Sequence, residues 1–315
     1  MSHRIVEISR PSYLSCDANH LVIQQDGVEV GRAPAEDLAM VVLDSWGIVM
    51  TVELGQLLAE HNVALLTCDA KHIPSSLTLR LEGHHQHARI IRQQIAAAEP
   101  TKKRLWQKII QAKIMAQAEC LARAGAGTKA QRRTLKDMAA LVRSGDPDNI
   151  EGQAARTYWP ILFGDEFLRL RDEAGINACL NYGYAVVRAS VARALVGTGL
   201  HPALGIHHRN LYNAFALADD VMEPLRPIVD LRVARLWQAH DLEAGLEAFA
   251  VELTPSLKKQ LLEILVERLD FAGNSTGFCI AVPLYAASFK QALCREKLGF
   301  NVPGFATGAD TESCG

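Results

Sequence analysis

LEGHHQH, residues 81–87, is where the chain changes its hydrophobic period. Before it, apolar residues alternate or cluster in short β-branched runs; after it, they recur every three to four positions, the spacing of one helix face. The reading is therefore α+β: a small β-rich domain over residues 1–80, a linker at 81–87, a larger all-helical domain over 88–303 and a flexible tail at 304–315. A chain of 315 residues with 49% hydrophobic content has enough length for two domains and enough apolar surface to give each a core.

Working outward on the N-terminal side, strands are expected at 4–8, 21–25, 28–30, 40–43 and 63–67, with one helix at 52–61. Asp17-Ala18-Asn19 and Asp26-Gly27 supply the residues that tight hairpins require. Asp44 and Asp69 follow apolar runs and read as strand terminators. On the other side, helices are expected at 88–98, 103–122, 130–143, 150–171, 178–196, 211–222, 229–240, 256–269 and 284–297. Pro100, Gly125-Ala126-Gly127, Asp146-Pro147 and Gly197-Thr198-Gly199 mark breaks between them. The His residues of HHQH lack an acidic or thiol companion and read as a solvated helix start, not a metal site.

Net charge is −2, yet the segment from Thr101 to Arg143 carries eleven Lys/Arg against Glu119 and Asp137, a local excess of +9. Alone, such a run is a solvated helix face; beside an active site it becomes a grip for a phosphate backbone. Seven scattered Cys without C-x-x-C spacing argue for reduced thiols and against a disulfide framework or zinc ribbon. MSHRIVEISR has no apolar core of a secretory signal, and the longest apolar run, 277–287, is too short for a bilayer and contains Pro283. A soluble cytoplasmic protein is expected.

The chemistry-bearing residues lie in two stretches. In NIEGQAARTYW, Glu151 falls in the first turn of a helix capped by Asp148 or Asn149, where a carboxylate is favoured by the helix dipole. In GLHPALGIHHRNLYNAFALADDVMEPLR, residues 199–226, a His pair follows a Pro/Gly turn, and Asp220 and Glu223 stand three apart on one helical face. Leu217, Ala218, Val221 and Met222 surround these carboxylates, and an acid at an apolar border needs a partner, an Arg such as Arg226 or a metal. Carboxylates with one His form an oxygen-rich set suited to Mg²⁺ or Mn²⁺, and such a site suits phosphodiester chemistry. No G-x-x-x-x-G-K-[ST] loop is present, so that chemistry should run without nucleotide hydrolysis.

Four motifs in order, NIEGQAARTYWPILFG, NACLNYGYAVVRASVARAL, GLHPALGIHHRN and ADDVMEPLRPIVD, closely resemble the universal integrase of CRISPR spacer acquisition, and IHHRN and DDVMEPLRP resemble its type II branch. The resemblance covers all but the tail. It implies a metal held by Glu151, His208 and Glu223, which would be the catalytic residues, with Asp220 as an auxiliary ligand; aligning the P-A-x-G turn selects His208 over His207. DNA contacts are expected from Lys102, Lys103, Arg104, Lys129, Arg132 and Arg133 of the basic segment and from Arg226. The implied reaction is attack by a fragment's 3′-hydroxyl on a phosphodiester at the repeat edge. The implied assembly is a homodimer joined by a small second subunit, with further acquisition factors in type II systems and the β domain as dimerisation module. Cys179 reads as packing. Two other readings use the same residues: a structure-specific endonuclease for branched DNA in repair, and a non-catalytic DNA-binding protein whose acids form a solvated face.

Overall fold

The computed structural model describes residues 4–70, 72–170, 174–244, 253–294 and 300–306. The chain begins with strands β1 (Arg4–Ile8), β2 (Ser12–Asp17), β3 (His20–Gln25), β4 (Val28–Pro34), β5 (Leu38–Leu43) and β6 (Ile48–Met50). Helix α1 (Val52–Glu60) and strands β7 (Ala64–Cys68) and β8 (Pro74–Thr78) follow. They form two four-stranded sheets, β4-β3-β2-β6 and β1-β5-β7-β8. Both hairpins turn on two residues of positive φ, Ala18-Asn19 and Asp26-Gly27, the backbone that matches strand twist. β2, β6 and β8, absent from the sequence expectation, are short or mixed polar runs that acquire strand geometry from their neighbours.

The second sheet joins the two halves of the molecule. Val41 faces a small core with Leu14, Leu21, Leu54, Leu58 and Val63, while Met40 and Val42, on the opposite side of the same strand, enter the large core of the helical region. Burial on both faces explains why β5 reads as a continuous apolar run. Gly83 lies in the connection beyond this sheet, where a Cβ would come within 2.1 Å of the Val196 carbonyl oxygen.

The helical region contains α2 (His87–Ile95), α3 (Glu99–Arg123), α4 (Lys129–Leu141), α5 (Ile150–Phe163), α6 (Ile176–Gly197), α7 (Ala216–Met222), α8 (Arg226–Ala244), α9 (Pro255–Leu262) and α10 (Phe278–Leu293). A short 3₁₀ turn, Glu223–Leu225, joins α7 to α8. α3 and α6 are central, and α6 is buried along most of its length. Cys179 is buried there, as a packing residue should be.

The region is not wholly helical. β9 (Arg268–Phe271) pairs with β10 (Asn274–Gly277) and with β11 (Gly304–Phe305). The tail therefore begins with an ordered strand: Ala306 is buried, and its carbonyl accepts a 2.7 Å bond from Arg123. Residues 307–315, also expected to be flexible, lie outside the described residues. The helix expected over 150–171 ends at Phe163, because Gly164 takes φ 94°; residues 171–173 lie outside the described residues. The helix expected over 211–222 begins only at Ala216, because Asn213 turns the chain by accepting from the Phe215 N–H at 2.9 Å. The last part of the helix expected over 284–297 also falls outside the description.

Candidate active site

Four elements bring the centre together. At the start of α5, Asp146 accepts from the N–H groups of Ile150 and Glu151 at 2.9 and 3.0 Å, and Asn149 accepts from Gly152 at 3.1 Å. These two caps fix the first turn and hold Glu151 half-buried; Asp148 instead pairs with Arg143 at 2.7 Å. Across from this turn, α3 presents Lys113, whose Nζ lies 2.5 Å from Glu151 Oε1 and 2.5 Å from Glu223 Oε2. Glu223 Oε1 faces Arg226 Nε at 3.1 Å, and the Arg226 guanidinium sits 4.9 Å from the centre of the Tyr184 ring.

Glu223 and Asp220 are 2% and 0% exposed. They do not form a solvated acidic face, which overturns the physical basis of the non-catalytic reading. Burial raises the Glu223 carboxyl, but Arg226 and Lys113 together hold it below its ordinary value. Burial opposes the charge on Lys113, and the two glutamates raise its pKa nonetheless.

Asp220 is engaged differently from the expectation. Its Oδ2 accepts from the Ile206 and His207 N–H groups at 2.7 and 3.0 Å, and its Oδ1 meets the His208 N–H at 3.1 Å and His208 Nδ1 at 2.6 Å. With four donors on two buried oxygens, Asp220 orients the His loop and is not placed as a metal ligand. A carboxylate can only accept, so a proton sits on His208 Nδ1, and in the neutral ring the lone pair falls on Nε2. That hydrogen bond is the main reason the His208 pKa is raised, against the opposing effect of burial.

His207 is held elsewhere. Its ring stacks on Trp106 with centroids 4.0 Å apart and planes 4° from parallel, and burial lowers its pKa. Trp106 and Lys113 are seven residues apart on α3, one face, so the same helix stripe seats the His loop and bridges the glutamates. The buried Gln94 fixes the beginning of this loop, bonding the carbonyls of His201 and Leu204 at 3.0 and 3.1 Å. Behind the centre, buried Asp230 accepts from the hydroxyls of Tyr158 and Tyr184. Burial pushes its pKa up to about 6, although both tyrosines oppose the shift.

Among the described residues, no group of three or more His, Cys, Asp or Glu is arranged to hold a metal ion. The local reasons are the ammonium of Lys113 between the glutamates and the engagement of Asp220 by the His loop. The donor set nevertheless suits a hard divalent cation. The glutamate oxygens cannot be further apart than twice their 2.5 Å distances to the shared nitrogen, both are hard anionic donors, and His208 can offer Nε2.

A cleft of about 570 Å³ opens beside the centre, lined by His208, Arg226, Arg169, Arg188, Tyr184, Tyr212 and, from the β domain, Ile73 and Pro74. Arg226, expected as a DNA contact, is tied to Glu223 and forms part of the centre. Lys103, Arg104, Lys129 and Arg133 are exposed and Lys102 and Arg132 half-buried. Lys129, Arg132 and Arg133, with Lys136, line a second depression of about 580 Å³ on the α3–α4 face. Lys113 escaped the sequence reading because it was counted within the basic run. The available signal was its position, one Lys on an apolar stripe with Trp106, Ile109, Ile110 and Ile114.

A β-rich region packed on a helical one, with buried Glu223, half-buried Glu151 and exposed His208 beside an arginine-lined cleft, is an arrangement suited to phosphodiester chemistry. The family model of CRISPR associated protein Cas1 matches residues 6–267. The CRISPR-associated endonuclease Cas1 of Neisseria meningitidis serogroup C (strain 8013) is 39% identical over 293 residues, covering 93% of each chain. The chain belongs to the Cas1 family, the nucleases and integrases of CRISPR adaptation. Among solved structures, a casposase bound to integration product superposes with a TM-score of 0.74 at 20% identity, covering 96% of this chain and 93% of that one. A Cas6-RT-Cas1–Cas2 complex has a chain of the same fold, with a TM-score of 0.74 at 17% identity, covering 96% of this chain and 36% of that one. No helix among the described residues is long and apolar enough to cross a membrane.

Proposed function

We propose that the Glu151–His208–Glu223 centre carries out the strand transfer of spacer acquisition, in which the 3′-hydroxyl of a short DNA fragment attacks a phosphodiester at the edge of a CRISPR repeat. The observation carrying this reading is the convergence of two glutamates from α5 and the α7–α8 junction at one nitrogen of α3, with His208 held beside them by Asp220. A new phosphorus–oxygen bond forms to the fragment, the repeat strand's bond breaks, and the proton lost by the attacking hydroxyl is balanced by one gained at the leaving 3′-oxygen. Mg²⁺ or Mn²⁺ held by Glu151, Glu223 and His208 Nε2 would neutralise phosphoryl charge and acidify the attacking hydroxyl. The chain's own residues do the rest. Asp220 places the neutral ring's proton on Nδ1 and fixes the direction of Nε2, and Arg226 limits the negative charge that Glu223 would otherwise present to DNA.

Lys102, Lys103, Arg104, Lys129, Arg132 and Arg133 are assigned to phosphate-backbone contacts, supported by their exposure or partial exposure and by the cationic depression on α4. The β domain, residues 1–80, is assigned to homodimerisation, the assembly including a small second subunit of the Cas2 kind and, as in type II systems, further acquisition factors. The partner named in the similar Cas1–Cas2 complex supports the second subunit, and the casposase bound to integration product supports DNA. A cytoplasmic location follows from the same role.

Joining of a short duplex to a repeat-bearing plasmid, in Mn²⁺ and with the purified second subunit, tests the proposal. Glu151→Ala and His208→Ala should reduce joining to background with circular dichroism unchanged, and persistent strand transfer in either variant overturns the site. Gly205→Ala tests the loop. Its Cβ would lie 2.5 Å from the His208 carbonyl oxygen and 3.0 Å from Asp220 Oδ2. The expected outcome is a loss of about 1–3 kcal/mol in stability and a fall in joining of roughly 10–100-fold, as for other disturbances of a ligand's support.

A further inference from the structure

We propose that Lys113 is a resident counter-cation of the glutamate pair, displaced when a divalent ion enters, and that it thereby couples metal loading to the arrival of DNA. The inference rests on the metal site proposed above. Lys113 reaches both carboxylates from the buried stripe of α3, with its side chain 10% exposed and each contact at 2.5 Å. Arg226 holds the other oxygen of Glu223. Glu151 and Glu223 are therefore matched by two cations before any metal is present, so the pocket lacks the excess negative charge that draws a divalent ion from water.

A divalent ion held by Glu151 and Glu223 would need oxygens that the ammonium now contacts, and the two could not share them without strong repulsion. Lys suits this role better than Arg, since its single point charge sits on a flexible four-carbon stem that can swing away. A DNA phosphate at the centre would provide both what the departing ammonium needs, an anionic partner, and what the incoming metal needs, a further oxygen. Metal and DNA should then each strengthen the binding of the other.

Mn²⁺ binding to the full-length protein, followed by electron paramagnetic resonance and calorimetry, tests this with and without DNA ending in a 3′-deoxy nucleotide. Lys113→Met should bind Mn²⁺ at least about 10-fold more tightly than wild type without DNA and gain less from added DNA, a coupling of ordinary size. Lys113→Arg, which keeps the charge, should retain weak binding. In EDTA, Lys113→Met should melt below wild type because the glutamates repel, and Mn²⁺ should raise its melting temperature more than wild type's. Lys113→Gln serves if the Met variant does not fold. Equal or weaker Mn²⁺ affinity in the charge-removed variant overturns the proposal. Glu151→Gln separates the two ideas: if it retains wild-type Mn²⁺ binding, the site assignment itself fails, whatever Lys113 does.

Discussion

Replacing Asp220 by asparagine is expected to cut strand transfer roughly 10–100-fold without removing any group that touches DNA or metal, the usual cost of losing a ligand's orienting carboxylate. Asparagine has nearly the same shape but only one accepting oxygen. Its amide NH₂ would have to face one of the donors that Asp220 now satisfies, the N–H groups of Ile206, His207 and His208 or His208 Nδ1. Each buried donor left facing another donor costs about 1–3 kcal/mol, so stability should fall as well.

The pH dependence distinguishes lost orientation from simple loosening. Asp220 raises the His208 pKa chiefly through the hydrogen bond, so in metal-free wild type this pair's contribution to stability is fully present below the ordinary histidine value, about 6.5. It is lost as pH rises through the higher folded value. Urea unfolding in EDTA should show that decline for wild type and a flatter profile for Asp220→Asn. Full joining activity with an unaltered profile in the variant would refute the orienting role.

The second large effect concerns the seam between the two halves. Lys258 on α9 is 2.6 Å from Asp44, and both side chains are nearly fully buried, at 2% and 4% exposure. His72, itself more than half exposed, meets the other Asp44 oxygen at 2.7 Å. Nearby acids register the Asp44 charge: burial first, and Asp44 next, raise Glu7 and push the Cys68 thiol up to about 12. Lys258→Met would leave Asp44 buried without its ammonium partner, and breaking a buried pair on one side costs about 3–5 kcal/mol. Chemical denaturation should register that loss. Removing the stranded charge as well, in Asp44→Asn/Lys258→Met, should recover roughly 1–3 kcal/mol. A single-variant cost below about 1 kcal/mol would mean the seam is held by apolar packing alone.

Much of this was legible in the sequence. Asp26-Gly27 announced its hairpin because few residues adopt two successive positive φ values. The long helices announced themselves by period, and Glu151 by its place after Asn149. What stayed hidden depends on distance in space. Asp44 read as a strand terminator because its partner lies 214 residues away. The reading placed Asp220 and Glu223 on one helical face, yet could not say that a backbone loop would surround one and a lysine approach the other. β10 is short and polar and β11 only two residues long, and both become strands through pairing with β9. Lys113 shows the general problem: charge counted along a chain says nothing about which charge is inside.

The 214-residue span between Asp44 and Lys258 also has a consequence during synthesis. At translation speeds of roughly 5–20 residues per second, the β domain leaves the ribosome about 10–40 s before its buried acid can meet a lysine. Through that interval Asp44 can relax toward water, and the sheet face destined for the helical core has no cover. The ion pair across the seam therefore forms only after residue 258 has been synthesised.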